Sequence, residues 1–181
     1  MDIEGATSAG STEHDSSRPA SAEAFKDAFR RHPGGVSVVT ADAGAGPVAL
    51  TLTSVASVSA DPPLLVFSVS EMSSATPTIL AADTIVVHLI DSSGLGIAQL
   101  AATHGADRFA GVPWERLPTG EPRYSSVPNW LRCRIIERVP AGGSAVIVAL
   151  VLETGDPGEV VADPLTYHNR TWHRLGTHSA L

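Results

Sequence analysis

Short segments with the two-residue apolar period of β-strands dominate this sequence, and several follow one another with only a turn between them. The pattern predicts strands over residues 36–41, 48–59, 64–69, 85–90, 131–139, 145–153, 165–168 and 172–175. Within the second segment the apolar phase slips between Leu52 and Val55, which indicates a bulge or bend. Consecutive strands favour a mainly β fold, a β-barrel with peripheral helices, over a doubly wound sheet in which strands and helices alternate.

Helical signals are confined to three places. Ser21 is a suitable N-cap for a first helix that ends at the Pro-Gly-Gly run of residues 33–35. Thr76, followed by a proline, predicts the N-cap of a short second helix, and residues 94–102 predict a third. The apolar residues that share one face of the first helix are Phe25, Ala28 and Phe29.

The chain of 181 residues suits one domain. Residues 1–20 hold only Met1 and Ile3 as large apolar side chains, so we predict a disordered tail there and a single domain over residues 21–181. Residues 104–130 contain four prolines and are predicted to be mostly irregular. A stretch this long inside a compact domain is usually functional or packed at an interface.

Charge and cysteine content narrow the possible partners and location. The formal net charge is −7 and no basic cluster is visible, which argues against binding of nucleic acid or of an anionic membrane surface. Residues 1–20 contain no apolar core of a signal peptide, and no apolar run is long enough to cross a bilayer. Cys133 is the only cysteine, so no internal disulfide can form, and we expect a reducing, cytoplasmic location.

Three apparent motifs carry little weight. Residues 94–99 imitate a dinucleotide fingerprint, but Gln99 replaces its third glycine and no alternating strand–helix series surrounds it. His168 and His173 are close in sequence, yet nothing nearby completes a usual ligand pattern, so no metal site is predicted. Cys133 falls within a predicted strand, which favours a core thiol over a nucleophile.

Hydroxyl side chains are concentrated in two segments that could face a ligand. The first group is Thr51, Thr53, Ser54, Ser57 and Ser59, and the second is Ser68, Ser70, Ser73, Ser74 and Thr76. Hydroxyls and backbone amides are suitable partners for a flavin ring edge, a ribityl chain and a phosphate. A phosphate could dock where residues 73–76 enter a helix, because free N–H groups point outward there. The alternative is that these residues only cap helices and cover strand faces.

Five segments, in order and in register, resemble the short-chain flavin reductase family. They are residues 29–40 (FRRHPGGVSVVT), residues 46–63 (from GPVALTLTS to DPP), residues 73–77 (SSATP), residues 107–112 (DRFAGV) and residues 164–168 (PLTYH). The resemblance covers about residues 21–176. Each motif is weak alone, but five in register are specific.

The resemblance implies a homodimeric FMN-binding split barrel that passes hydride from NADH or NADPH to FMN or FAD, often to supply a separate monooxygenase. By similarity, the residues expected to line the flavin are Pro47, Ala49, Leu50, Thr51, Leu52, Thr53, Ser54, Ser68, Val69 and Ser70, with Ser74 and Ala75 near the phosphate. His168 and Arg108 are the candidates for the nicotinamide side, and Arg170 is a further candidate to contact the dinucleotide. No catalytic residue is assigned.

Two departures from the family pattern leave alternatives open. Many members carry Gly-Asp-His before a late strand, where this chain has Gly143-Ser144-Ala145. An Arg-Phe pair that often precedes the Asp-Arg-Phe motif is replaced here by Leu100-Ala101. The leading hypothesis is therefore an NAD(P)H-dependent flavin reductase. The alternatives are an FMN-binding flavoprotein with another activity and a non-catalytic flavin-binding module.

Overall fold

The computed structural model describes residues 18–156, 158 and 163–181, so most of the predicted disordered tail lies outside the described residues. The helices are α1 (Ala22–Arg30), α2 (Thr76–Ala81) and α3 (Leu95–Ala102). The strands are β1 (Gly34–Gly35), β2 (Ser37–Ala41), β3 (Val48–Leu52), β4 (Ala56–Ala60), β5 (Pro63–Ser70), β6 (Thr84–Leu89), β7 (Trp114–Arg116), β8 (Pro122–Tyr124), β9 (Trp130–Pro140), β10 (Ser144–Thr154), β11 (Leu165–His168) and β12 (Thr171–Arg174). The fold is mainly β, as predicted.

One antiparallel sheet of seven strands forms the body of the molecule, in the order β3-β2-β6-β9-β10-β5-β4. Its inner face is the core, because every second residue of each strand points inward. Phe67 and Val69 of β5 and Ile147 and Ala149 of β10 are buried there. The sheet curls into a split barrel, and a smaller sheet of β1, β11 and β12 lies beside it.

A side-chain link joins the β3 edge of the curled sheet to β5, the strand next to its other edge. The hydroxyl of Ser54, just after β3, accepts a hydrogen bond from the backbone N–H of Ser68 on β5 at 3.1 Å and donates to the Ser68 carbonyl at 3.3 Å. Thr53, the residue before Ser54, packs closely against Gly34 on β1. A Cβ added to Gly34 would lie 2.8 Å from the Thr53 Cβ. Glycine is therefore required at residue 34, because any side chain would displace the end of β3.

The structure corrects three details of the sequence-based prediction. The predicted strand over residues 48–59 is two strands, β3 and β4, with the break at the expected phase slip. The predicted irregular stretch contains the short hairpin of β7 and β8. The N-cap of α2 is Ala75 rather than Thr76, because the Thr76 hydroxyl instead donates to the Ser70 carbonyl at 2.6 Å.

Two other local expectations are confirmed, for Ser21 and for Cys133. The Ser21 hydroxyl caps α1 by accepting from the Ala24 N–H at 3.2 Å. Cys133 is fully buried in the barrel core, and burial raises the pKa of its thiol to about 12. In the part of the chain that the structure describes, no helix is long and apolar enough to span a bilayer.

Candidate functional site

The site begins at a turn that Asp42 organises in front of β3. One carboxylate oxygen of Asp42 accepts from the N–H groups of Gly44 at 2.8 Å and Gly46 at 3.1 Å. The other oxygen pairs with Arg116 at 2.6 Å, and this contact is the main reason why the pKa of Asp42 lies below its usual value. The turn fixes the path of the chain into Pro47. Sequence reasoning did not assign Asp42, although the Asp-Ala-Gly-Ala-Gly pattern is typical of such a turn.

Arg108 brings two of the predicted ligand segments together. Its guanidinium donates to the carbonyl of Ala49 on β3 and lies 3.5 Å from the hydroxyl of Ser74, just before α2. Its Nε is buried without a hydrogen-bond partner among the described residues. These groups border a pocket of about 150 Å³, lined by Pro47, Val48, Ser74, Ala75, Ala106, Asp107 and Arg108. A cation and an exposed hydroxyl at one small pocket suit an anionic group.

Two buried aromatic residues, Tyr124 and His88, support the backbone of Arg108 from the core side. The Tyr124 hydroxyl donates to the Arg108 carbonyl at 2.6 Å, and the Tyr124 N–H donates to Nε2 of His88 at 3.1 Å. Because Nε2 accepts, the His88 proton lies on Nδ1, which donates to the Val38 carbonyl at 3.0 Å. Burial lowers the pKa of His88 to about 4, so the ring is neutral. Neither residue was assigned from the sequence, because their role depends on contacts between distant segments.

The turn between β5 and α2 uses some of its hydroxyls internally. Ser73 Oγ accepts from the Ala75 N–H at 3.3 Å, and Ser70 Oγ accepts from the Met72 N–H at 3.2 Å. Ser74 is exposed and its hydroxyl faces Arg108. Of the predicted phosphate segment, Ser74 is therefore the hydroxyl best placed to meet a ligand.

Several predicted flavin-lining side chains point into the core instead of outward. Leu50, Leu52 and Val69 face the barrel core, because alternation turns every second residue of β3 and β5 inward. Ala49 is buried on the opposite face of β3, in a second cluster with residues of α3, and Ala75 is buried just before α2. At these buried positions only backbone groups can contribute to the flavin wall, which stays a prediction.

The hydroxyl groups on and near β3 and β5 also differ in their hydrogen-bond partners and in their exposure. Thr51 donates to the Ala98 carbonyl on α3 at 2.7 Å, which ties the strand to that helix. Thr53 is exposed, and the hydroxyl of Ser54 links to Ser68 as described. The exposed rim of the predicted wall therefore consists of Thr53 and Ser54 at one end of β3 and Ser70 at the end of β5.

The run that replaces Gly-Asp-His lies beside this rim. Ser144 pairs with Ser70 across the β5–β10 ladder, and the Gly143 carbonyl accepts from the Glu71 N–H at 3.0 Å. Ala145 points into the core. Residues 143–145, which replace Gly-Asp-His, thus lie next to the predicted flavin wall but have only small side chains and no imidazole.

The two residues predicted for the nicotinamide side lie at different places. Arg108 borders the pocket at Ser74, on the side predicted for the phosphate. His168 is half-buried at the end of β11, where it pairs with Thr171, and its ring lies 5.8 Å from that of His173. No group of three or more His, Cys, Asp and Glu side chains with metal-binding geometry occurs among residues 18–156, 158 and 163–181.

The residues present fit a phosphorylated flavin. The guanidinium of Arg108 and the exposed hydroxyl of Ser74 border the small pocket and can meet a phosphate. The exposed hydroxyl of Thr53 lies just after β3, and that of Ser70 lies where β5 enters the turn that carries Ser74. The donor set is polar with one cation, which suits a phosphate together with neutral hydrogen-bonding groups.

Comparison with known proteins agrees with this geometry. A family model described as the flavin reductase like domain matches residues 29–176. The chain is 39% identical over 153 residues to an NADH:FMN oxidoreductase of Rhodococcus qingshengii, which covers 83% of this chain and 80% of that protein. It is 33% identical over 155 residues to the reductase component of 4-hydroxyphenylacetate 3-monooxygenase of Thermus thermophilus, covering 84% of this chain and 96% of the relative.

A solved structure shares the fold. The flavin reductase domain protein of Arthrobacter sp. FB24 superposes with a TM-score of 0.78 at 33% sequence identity. The match covers 85% of this chain and 95% of that chain. The split barrel and its peripheral helices are therefore common to both proteins.

Proposed function

The chain belongs to the flavin reductase-like domain family, and from this membership and the geometry of its pocket we propose that it transfers hydride from NADH or NADPH to FMN or FAD. The observation that carries the proposal is the pairing of Arg108 with Ser74 at one end of the β3 wall. A bound flavin supplies the hydride acceptor, and the protein supplies binding and orientation.

In this proposal Arg108 and Ser74 hold the phosphate. A guanidinium hydrogen bond to phosphate is charge-assisted and about twice as strong as a neutral one. Tyr124 and His88 act as positioning residues, because they fix the backbone of Arg108 from the core side. Thr53, Ser54, Ser68 and Ser70 offer neutral partners to the rest of the flavin, together with backbone groups of Pro47–Leu52, Val69 and Ala75.

A separate monooxygenase is the proposed consumer of the reduced flavin. The support is the similarity to the reductase component from Thermus thermophilus. The reduced flavin would leave this protein and react with oxygen on the partner, so the exposed rim of the site suits exchange of the flavin. A reducing compartment, the cytoplasm, is proposed because the only cysteine, Cys133, is a buried thiol.

A homodimer is proposed from the outer face of the barrel. Outward positions of β5 and β10 carry apolar side chains that are half-buried in the single chain, namely Leu64, Val66, Val146, Val148 and Leu150. An outer sheet face that met only water would carry polar residues. Exposed Val58 and Val139 extend this apolar face on the neighbouring strands β4 and β9. A second copy of the chain would cover it.

The second candidate function is a flavoprotein that binds FMN without accepting hydride from a pyridine nucleotide. The observation in its favour is that Ser144 and Ala145 stand beside Ser70 without an imidazole. If a histidine there supplied one hydrogen bond, its absence would cost about 0.5–1.5 kcal/mol, roughly tenfold in affinity at most. That loss is too small to exclude hydride transfer, so the reductase is the preferred function.

Anaerobic stopped-flow absorbance separates the two candidates. Protein and FMN are mixed with NADH or NADPH, and loss of the oxidised flavin absorbance is followed. A reductase bleaches the flavin faster than the protein-free mixture. Bleaching at the protein-free rate with both nucleotides would rule out the reductase and leave flavin binding to be tested by titration.

A further inference from the structure

A second pocket, of about 300 Å³, lies where α1 meets the turn between β11 and β12. Its lining includes the cations Lys26, Arg30 and Arg170, the aromatic rings of Phe29 and Tyr167, and Thr53. Thr53 belongs to the predicted flavin wall, so this pocket adjoins the far end of the candidate site. The proposed function has not used any of its cations.

This pocket is rich in cationic side chains, although the chain as a whole is acidic. The sequence carries a net charge of −7 and only 12 Lys and Arg residues, yet three of them line this one pocket. Arg30 is partly neutralised by Asp27 at 3.1 Å. Within the described residues, no carboxylate lies within salt-bridge distance of Lys26 or Arg170. The pocket therefore presents positive charge to solvent.

The walls of the pocket are held together by a backbone contact. The N–H of Asn169, in the turn, donates to the carbonyl of Arg30, in the last turn of α1, at 2.9 Å. This hydrogen bond fixes the turn against the helix and keeps Arg170 next to Arg30. The cationic cluster is thus a product of the fold rather than of long side chains that happen to meet.

Arg170 occupies a backbone position where its side chain is unfavourable. Asn169 and Arg170 form the two-residue loop between His168 and Thr171, with φ of 49° and 62°. Such a loop favours asparagine first and glycine second, because both residues need positive φ. An arginine at the second position strains the backbone, and strain of this kind is concentrated at functional sites.

The two pockets cannot serve the same phosphate. Val48 borders the first pocket and Thr53 borders the second, and five steps of extended strand span about 16 Å. A flavin phosphate placed at Arg108 and Ser74 leaves the cations around Arg170 for another anionic group. The second substrate of the proposed reaction brings such a group.

We propose that the pocket between α1 and the β11–β12 turn binds the diphosphate of the pyridine dinucleotide donor, with Arg170 and Lys26 as its cationic contacts. This inference rests on the proposed function, since it identifies where the hydride donor is held. Phe29, which is 60% exposed, and Tyr167 offer ring surfaces on which the adenine can pack.

The test uses ADP as a probe of the donor's diphosphate end, because its binding can be measured without turnover. Titration into the full-length protein is followed by tryptophan fluorescence, since Trp172 packs against Tyr167 with ring centroids 4.7 Å apart. The key variant is Arg170→Gly, which removes the guanidinium and restores the residue that the turn prefers. A second variant is Lys26→Gln. The matched control is Arg174→Gln, an exposed arginine on the same hairpin that pairs with Asp163 outside the pocket.

We expect Arg170→Gly and Lys26→Gln each to weaken ADP binding about fivefold, as is typical of a partly exposed ion pair. Arg174→Gln should bind ADP like the wild type, and all three variants should keep the wild-type affinity for FMN. In steady state the KM for the donor should rise while kcat stays constant. ADP should compete with NADH and not with FAD.

Three results would overturn the inference. They are absence of ADP binding by the wild type at millimolar concentration, equal ADP affinity in Arg170→Gly and wild type, and competition of ADP with FAD instead of NADH. The last would assign the pocket to the adenosine end of a flavin. The proposed function fails separately, by a different measurement. It fails if the wild type does not oxidise NADH or NADPH, whatever the outcome of the ADP titration.

Discussion

The guanidinium of Arg108 lies 3.5 Å from the hydroxyl of Ser74, although the two residues are separated by 34 positions in the sequence. The contact joins the loop after α3 to the turn before α2, and Arg108 also reaches the Ala49 carbonyl on β3. Three segments therefore meet at one cation. The guanidinium suits this place to the proposed phosphate, because a cation binds an anionic group more strongly than hydroxyls alone.

Replacement of Arg108 should affect FMN and riboflavin differently. We expect Arg108→Gln to weaken FMN binding by about tenfold or more, because a hydrogen bond to a charged group contributes about 1.5–3 kcal/mol. Riboflavin lacks the phosphate, so its affinity should change little. Fluorescence titration with both ligands measures the ratio, and Arg134→Gln, at an exposed position of β9, is the control. Equal losses for both flavins would mean that Arg108 serves only to hold the fold.

A negative charge at Ser74 should repel the phosphate. Ser74→Asp places a carboxylate beside the phosphate and neutralises Arg108, so FMN binding should weaken while the exposed position keeps the fold unaffected. The same substitution at exposed Ser125 tests for a general charge effect. An unchanged FMN dissociation constant in Ser74→Asp would refute the placement of the phosphate.

The outer face of β10 should control the oligomeric state. Val148 is half-buried there and lies opposite Glu137 on β9. Val148→Arg can pair with Glu137 in the single chain, but it would place a charge in an apolar interface between copies. Sedimentation velocity at micromolar concentration should show a wild-type dimer, a monomeric Val148→Arg and a dimeric Ala102→Arg control. A wild type that sediments as a monomer would contradict the proposed interface.

Protonation of His88 should limit stability in acid. Burial lowers its pKa to about 4 in the folded protein, against 6.5 for an unperturbed histidine, so the unfolded chain binds the proton more readily. The free energy of unfolding should therefore fall as the pH drops from about 6.5 to 4, by about 3 kcal/mol from this group alone. Other groups titrate in the same range.

Comparison of wild type with His88→Gln isolates the contribution of the histidine. Urea unfolding at several pH values gives the free energy of unfolding for each protein. The variant should be less stable at pH 7, yet its stability should depend less steeply on pH between 6.5 and 4. Parallel profiles for the two proteins would show that His88 does not titrate as its burial indicates.

The single thiol should be unreactive until the protein unfolds. Cys133 is fully buried and the pKa of its thiol is raised to about 12, so little thiolate forms at pH 8. A chromogenic disulfide reagent should react with about one thiol per chain in denaturant and with almost none in the native state. Flavin reduction should survive treatment of the native protein with iodoacetamide. Rapid native labelling would show that β9 opens.

Local patterns in the sequence were sufficient to predict most elements. Alternation of apolar residues gave the strands because the side-chain period of a strand is a property of the strand itself. The phase slip after Leu52 marked the break between β3 and β4, and Ser21 marked the start of α1. The flavin wall stays a prediction. The sequence located its strands but did not show that Ala49 and Leu52 would be buried on opposite faces of β3.

Contacts between distant segments were beyond the reach of the sequence. The capping hydroxyl at Thr76 was misassigned because the competing acceptor, the Ser70 carbonyl, comes near only when the turn has formed. The nearness of Arg108 to Ser74 could not be predicted, because nothing local to Arg108 indicates that Ser74 will be its neighbour.

By itself the sequence determined that this chain forms a barrel of antiparallel strands and belongs among flavin reductases, because both conclusions depend on the order and spacing of residues. Only the tertiary structure decided which cation meets which hydroxyl, that Tyr124 and His88 support Arg108, and that α1 meets the β11–β12 turn to form a cationic pocket. Those contacts follow from strand register and from how far the sheet curls, which depend on the packing of the whole core rather than on any one segment.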